Sequence, residues 1–157
     1  HNILYLFFKL LLHFEKYHLI KPKPVQLTGT TPFNLRIGTP DAAFELFLRR
    51  QRAATWGIIT ACNPGGQLAP DAKANDAATR MLAARIRANG WLGFPSINRA
   101  DSRDWPDEPG YCVLNAGEND LRQLAEEVGQ AAIVFGETGG DSARLVWTGI
   151  APAGRAR

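Results

Sequence analysis

Few residues of this 157-residue chain are suited to chemistry. Asp104, Asp107 and Glu108 lie close enough along the chain for acid/base work or for holding a hard cation through oxygen ligands. Acidic clusters in polar loops are ordinarily solvated, so no metal is expected. Glu108 differs from its neighbours. Pro109 follows it and an apolar run starts at Tyr111, so its carboxyl is expected to be partly buried. A nucleophile has less support. Histidine is confined to His1, His13 and His18, which leaves Cys62 and every later Ser and Thr without an imidazole base. Cys62 and Cys112 sit in apolar runs and read as small buried hydrophobes in a reducing compartment. Two cysteines with no histidine nearby cannot complete a zinc site. The glycine-rich pieces at 63–66 and 136–140 match no phosphate-binding motif. No cofactor is expected.

The polar site left open lies just past one stretch. Thr55 to Cys62 is a nearly continuous apolar run, rich in β-branched residues, that stops in Asn63-Pro64-Gly65-Gly66. Such a run predicts a central strand covered on both faces, ending in a turn. Pro70-Asp71 opens the longest predicted helix, which runs to about Asn89 and stops at Gly90. At 100° per residue Asn75 shares a face with Leu82 and Ile86. An amide in line with an apolar stripe must find partners, or it costs about 1–3 kcal/mol. Asn75 falls in the first turns of its helix, near the Asn63-Pro64 turn if strand and helix are antiparallel neighbours.

The remaining elements frame that site. Asn34 to Gly38 predicts a short strand, and Thr39-Pro40-Asp41 a helix start with Thr39 as N-cap. Phe44, Phe47 and Leu48 form that helix's inner stripe, and Arg49, Arg50 and Arg52 suit its C-terminal end. Trp91 to Ile97 is a strand interrupted by Gly93 and Pro95; Asn98 to Gly110 is a polar loop. Then come a strand over Tyr111 to Asn115, a helix over Glu118 to Val128, a strand over Gln130 to Phe135, a hairpin loop at Thr138 to Asp141 and a last strand at Leu145 to Trp147. From Thr55 the order is strand, helix, strand, strand, helix, strand. That order predicts an α+β, ferredoxin-like (split βαβ) fold: an antiparallel or mixed sheet with helices packed mainly on one face. An extra N-terminal strand-helix unit and a C-terminal hairpin strand extend it.

Residues 1–24 differ in composition. They hold four Lys and no Arg, Ala or Gly, whereas the rest has thirteen Arg and one Lys, so they read as a fragment, a mis-assigned start or a fused segment. Residues 25–150 read as a single domain and 151–157 as a tail. Ile3 to Phe14 is apolar almost all round and predicts a helix that contacts the domain itself, or else a partner or a membrane surface. It is shorter than the roughly 20 residues of a membrane span, and it lacks the marks of a secretory signal. The expected location is the cytoplasm. A net charge of +3 is too small to argue for nucleic acid. Ala131 to Phe135 also lacks the basic-Gly-aromatic pattern of RNA-binding sheets.

Thr60-Ala61-x-Asn63-Pro64 resembles the signature of an uncharacterised bacterial family, domain of unknown function 3293. The family's pattern continues with an Asn early in the next helix, an acid-Pro pair before an apolar strand and a Gly-Gln before a strand. Asn75, Glu108-Pro109 and Gly129-Gln130 fill those positions, and Leu35 to Gly38 looks like the family's opening. The resemblance covers about Asn34 to Trp147. It implies a small soluble domain and no particular activity.

Two readings follow. Thr60, Asn63, Asn75, Glu108 and Gln130 are the candidate ligand-binding set for a small molecule or peptide at the end of the central strand. A hydroxyl, three amides and one carboxylate orient a ligand well and move protons poorly. In an enzyme Glu108 would be the general base and the amides would hold substrate. In the alternative, the protein is a non-catalytic structural or protein-interaction module, and the same residues are internal braces.

Overall fold

The computed structural model describes residues 10–11, 33–66, 71–98, 106–141 and 143–150. Strand β3 (Thr55–Thr60) lies at the centre of a five-stranded antiparallel sheet. On one side it pairs with β5 (Glu108–Leu114), which carries edge strand β4 (Leu92–Asn98). On the other it pairs with β6 (Ala132–Glu137), which carries edge strand β7 (Arg144–Trp147). The sheet order is β4-β5-β3-β6-β7. The fold is α+β.

The apolarity of β3 is explained by cover on both faces. Trp56 and Ile58 point to a core with Phe44, Phe47 and Leu48 of α1 (Ala42–Arg50). The Phe44 ring meets Trp56 edge-on at 4.9 Å and Phe47 meets Phe94 at 5.3 Å, geometry that aromatic pairs favour. Ile59 points the other way, to Leu82 and Ile86 of α2 (Ala72–Ala88) and to Leu121 and Leu124 of α3 (Glu118–Glu127). So α2 and α3 share one face, while α1 covers the opposite one. Gly57 allows the close approach of α3, since a Cβ there would lie 2.6 Å from Leu121 Cδ1.

Several local expectations are corrected. The cap of α1 is Asp41, whose Oδ1 accepts from Phe44 N at 2.8 Å. Thr39 is instead held in a tight turn, its N–H bonded to Arg36 O at 3.1 Å, which also ends β2 (Asn34–Leu35) before Gly38. Pro95 does not break β4, because an edge strand leaves one row of backbone groups unpaired and can host a proline. The loop expected from Asn98 to Gly110 is shorter, for Asn98 pairs with Glu108 and Ser96 with Gly110. Its residues 99–105, Asp104 among them, lie outside the described residues.

β1 (Leu10–Leu11) pairs with β2 in a two-residue antiparallel ladder, so these leucines are strand and not part of the helix expected over Ile3 to Phe14. An apolar run without periodicity does not separate the two states. The rest of that segment, the linker after it and the tail from Ala151 lie outside the described residues. Among the described residues no helix is long and apolar enough to cross a membrane.

Candidate functional site

The end of β3 is where the polar residues gather. The strand leaves the sheet after Thr60 and turns through Asn63, which adopts left-handed backbone geometry at φ 49°. Asn tolerates that region better than most side chains do. Pro64–Gly66 then form a single 3-10 turn. Helix α2 starts with Asp71, whose carboxylate accepts from Lys73 N at 2.9 Å. Asn75 is thereby fixed in the first turn, facing back toward the strand end.

Asn63 and Asn75 form a reciprocal pair. Asn63 N donates to Asn75 Oδ1 at 2.9 Å, and Asn75 Nδ2 donates to Asn63 Oδ1 at 2.8 Å. Asn63 Nδ2 donates in turn to Glu108 Oε1 at 2.7 Å, tying the turn to the first residue of β5. Glu108 and Asn63 are both buried. Thr60 Oγ1 donates to Pro109 O at 2.7 Å and accepts from Cys62 N at 3.0 Å. Gln130 Nε2 donates to Cys62 O at 2.6 Å, joining the end of α3 to the same turn. Gly65 N bonds Gly129 O at 2.8 Å beside it. All five expected residues therefore meet at one end of the sheet, in a single hydrogen-bonded knot.

Other members were not foreseen. Thr79 lies one turn beyond Asn75, donates to its carbonyl at 2.8 Å and stands 3.7 Å from Cys62 Sγ. Thr148 donates to Gln130 O at 2.6 Å. A threonine on a helix gives no sequence signal of this kind; only the position of Thr79 one turn after Asn75 could have pointed to it. Arg80 and Arg87, on the outer side of α2, are exposed and take no part. Asp107 is exposed, and among the described residues no group of three or more His, Cys, Asp or Glu is placed to hold a metal ion.

The two thiols are free and buried. Cys112, deep between β3 and β4, has its pKa pushed up to about 12 by burial, so it carries no thiolate at neutral pH. At the far end of the sheet Glu118 is held below the usual carboxylate range, first by its hydrogen bond from Arg144. Arg144 Nη1 reaches Glu118 Oε1 at 3.2 Å and its guanidinium lies 5.6 Å from the centre of the Phe135 ring.

The matched stretch of sequence spans this knot. Residues 59–133 match the family described as Protein of unknown function (DUF3293). The DUF3293 segment is narrower than the Asn34 to Trp147 expected from the signature, yet it contains Thr60, Asn63, Asn75, Glu108 and Gln130. It runs from β3 into β6 and leaves out α1 and β7. No curated protein and no solved structure matches the chain.

Proposed function

We propose that the DUF3293 knot is an internal brace, and that the protein is a non-catalytic interaction or binding module built on it. The observation that carries this reading is the engagement of Asn63. Its backbone N–H, its side-chain oxygen and its side-chain nitrogen are each bonded to another residue of the chain. Thr60 is likewise used as both donor and acceptor, and the Gln130 amide is spent on a backbone carbonyl. Groups so occupied hold three junctions together: β3 with α2, β3 with β5, and the turn after β3 with the α3–β6 connection.

The strand order around the brace supports a ferredoxin-like unit over β3 to β6, with β7 added at one edge. Two free, buried thiols accord with a reducing compartment, and the cytoplasm is the proposed location.

The competing reading keeps the same five residues as ligand contacts. A thermal-shift screen of the protein against metabolites, run on wild type and on Asn75→Ala, separates the two. Bracing expects a large fall in melting temperature for Asn75→Ala and no compound whose effect depends on Asn75. A compound that raises the wild-type melting temperature and loses its effect in an otherwise stable Asn75→Ala protein would favour ligand binding.

A further inference from the structure

Helices α2 and α3 form a layer on one face of the sheet, α2 over β4 and β5, α3 over β3 and β6. α2 follows β3 and α3 follows β5, and those strands are antiparallel, so the two helices run in opposite directions. The outer sides of the helices carry opposite charge. On α2, Lys73, Arg80 and Arg87 recur every seven residues and share one exposed side, with Ala77 and Ala84 between them. Among the described residues none of these three cations enters a salt bridge. On α3, Asp120, Glu126 and Glu127 are exposed, and Arg122 is the single cation of that helix.

Met81 lies between the two sets. Arg85 is bonded to Glu127, which marks the side of α2 that faces α3. Met81 stands one turn earlier on that side and is 62% exposed, more than any other large hydrophobic among the described residues. A flexible thioether left bare in the middle of a helix layer suits a protein contact, where methionine is enriched.

We infer that this layer is a two-fold interface with a second copy of the chain, α2 of each copy lying on α3 of the other. Two axes in the plane of the layer bring it face to face with itself. An axis across the helices sets α2 on the partner's α2, and the row of Lys73, Arg80 and Arg87 on its own copy. Like charges opposed in that way are unfavourable. An axis along the helices sets α2 on the partner's α3. Each basic row then meets acids, and each helix pair across the interface runs antiparallel. The same axis passes between α2 and α3, and so brings Met81 against the partner's Met81 at one level along it. An acidic helix of another protein would match α2 alone, whereas a second copy matches α2 and α3 together.

The size of the layer sets the strength of the contact. α2 has 17 residues, about 25 Å of helix, and two helices side by side are about 20 Å wide. Face to face, such a layer buries about 1,000 Å² in all, the low end of specific interfaces, so dissociation constants on the order of tens of micromolar are expected. Resting on charge, the association weakens with salt. The interface uses no residue of the brace, so either reading stands if the other fails.

The test is sedimentation equilibrium of the full chain from about 5 to 500 μM, in about 50 mM and about 500 mM NaCl. The mass is expected to rise from that of one chain toward that of two, with affinity at least about tenfold weaker in the high salt. Arg80→Glu with Arg87→Glu in one chain, and Gln123→Lys with Glu126→Lys in another, should each leave a monomer. An equimolar mixture of the two should restore the dimer, because a reversed α2 then meets a reversed α3. Met81→Cys should give a disulfide-linked dimer under mild oxidation, while Leu46→Cys, on the exposed side of α1 across the sheet, should not. The native thiols are buried and take no part. The crosslink changes no charge, so it decides the matter even if a reversed variant fails to fold. The proposal is overturned if the wild type stays monomeric throughout at low salt, if the mixture of folded reversed variants does not associate, or if Met81→Cys crosslinks no faster than Leu46→Cys.

Discussion

Asn63 and Asn75 hold each other by two hydrogen bonds of opposite sense, one from a backbone N–H and one between side-chain amides, at 2.9 and 2.8 Å. A turn residue in left-handed geometry is thus fastened to the first turn of the longest helix. Asn75→Ala removes both bonds and leaves two groups of Asn63 unpaired, one of them on a buried side chain. The expected cost is about 2–3 kcal/mol, or roughly 4–12 °C in melting temperature for a chain of this size. Circular dichroism melting of Asn63→Ala, Asn75→Ala and the double variant checks it. The double variant should lose much less than the sum of the two singles.

Gly129 is expected to tolerate no side chain. Its φ is +76°, and a Cβ there would lie 2.8 Å from Pro64 Cβ, inside the contact that brings the end of α3 to the strand turn. Gly129→Ala should lower stability by about 1–3 kcal/mol. Urea unfolding should show a lower midpoint with an unchanged slope.

Cys112 should make the protein alkali-sensitive. Its folded pKa of about 12 stands above the ordinary 9.0, so the neutral thiol is the form the fold requires. The stability it contributes is complete below pH 9, and is lost as pH rises toward 12 because only the unfolded chain releases the proton readily. Cys112→Ala should reduce the loss of stability across that window, as read by unfolding at a series of pH values. In the native state at neutral pH, both buried thiols should resist a thiol reagent until the protein is unfolded.

Glu118 gives the opposite sign. Its folded pKa lies below the ordinary 4.5, so its contribution is present above that value and disappears as pH falls through the folded pKa. The pair with Arg144 is solvent-accessible, so the effect is small and weakens with salt. Glu118→Gln should flatten the acid end of the stability curve slightly at low ionic strength and change nothing at neutral pH in high salt.

Much of the site could be read from residue types because its signals are local. Asn75 announced itself as an amide on an apolar helix face, and Asn63 as the stop of a hydrophobic run. Glu108 stood out through its place before Pro109. Gln130 followed from the family resemblance and from no periodicity of its own. The misses have a common physical root, since each depends on a backbone partner that the residue types do not announce. Thr39 looked like a helix cap until the turn with Arg36 claimed its backbone. Asn98 looked like a loop residue, yet pairing with Glu108 makes it the end of a strand. Leu10 and Leu11 carry no mark that separates strand from helix, and only the pairing with Leu35 and Asn34 shows which they are.

The central position of β3 shapes how the chain can be made. Both neighbours of this central strand come later in the sequence, and the first, β5, lies about fifty residues downstream. At roughly 5–20 residues per second, synthesis leaves the strand without either edge partner for about 3–10 s. Through that interval a six-residue segment of high β-propensity is held in check by α1, which is already complete, by α2 once it has been made, and by local collapse. The newborn chain is therefore most prone to aggregate before Leu114 has left the ribosome, and a holdase acting on this protein would find its target between Thr55 and Cys62.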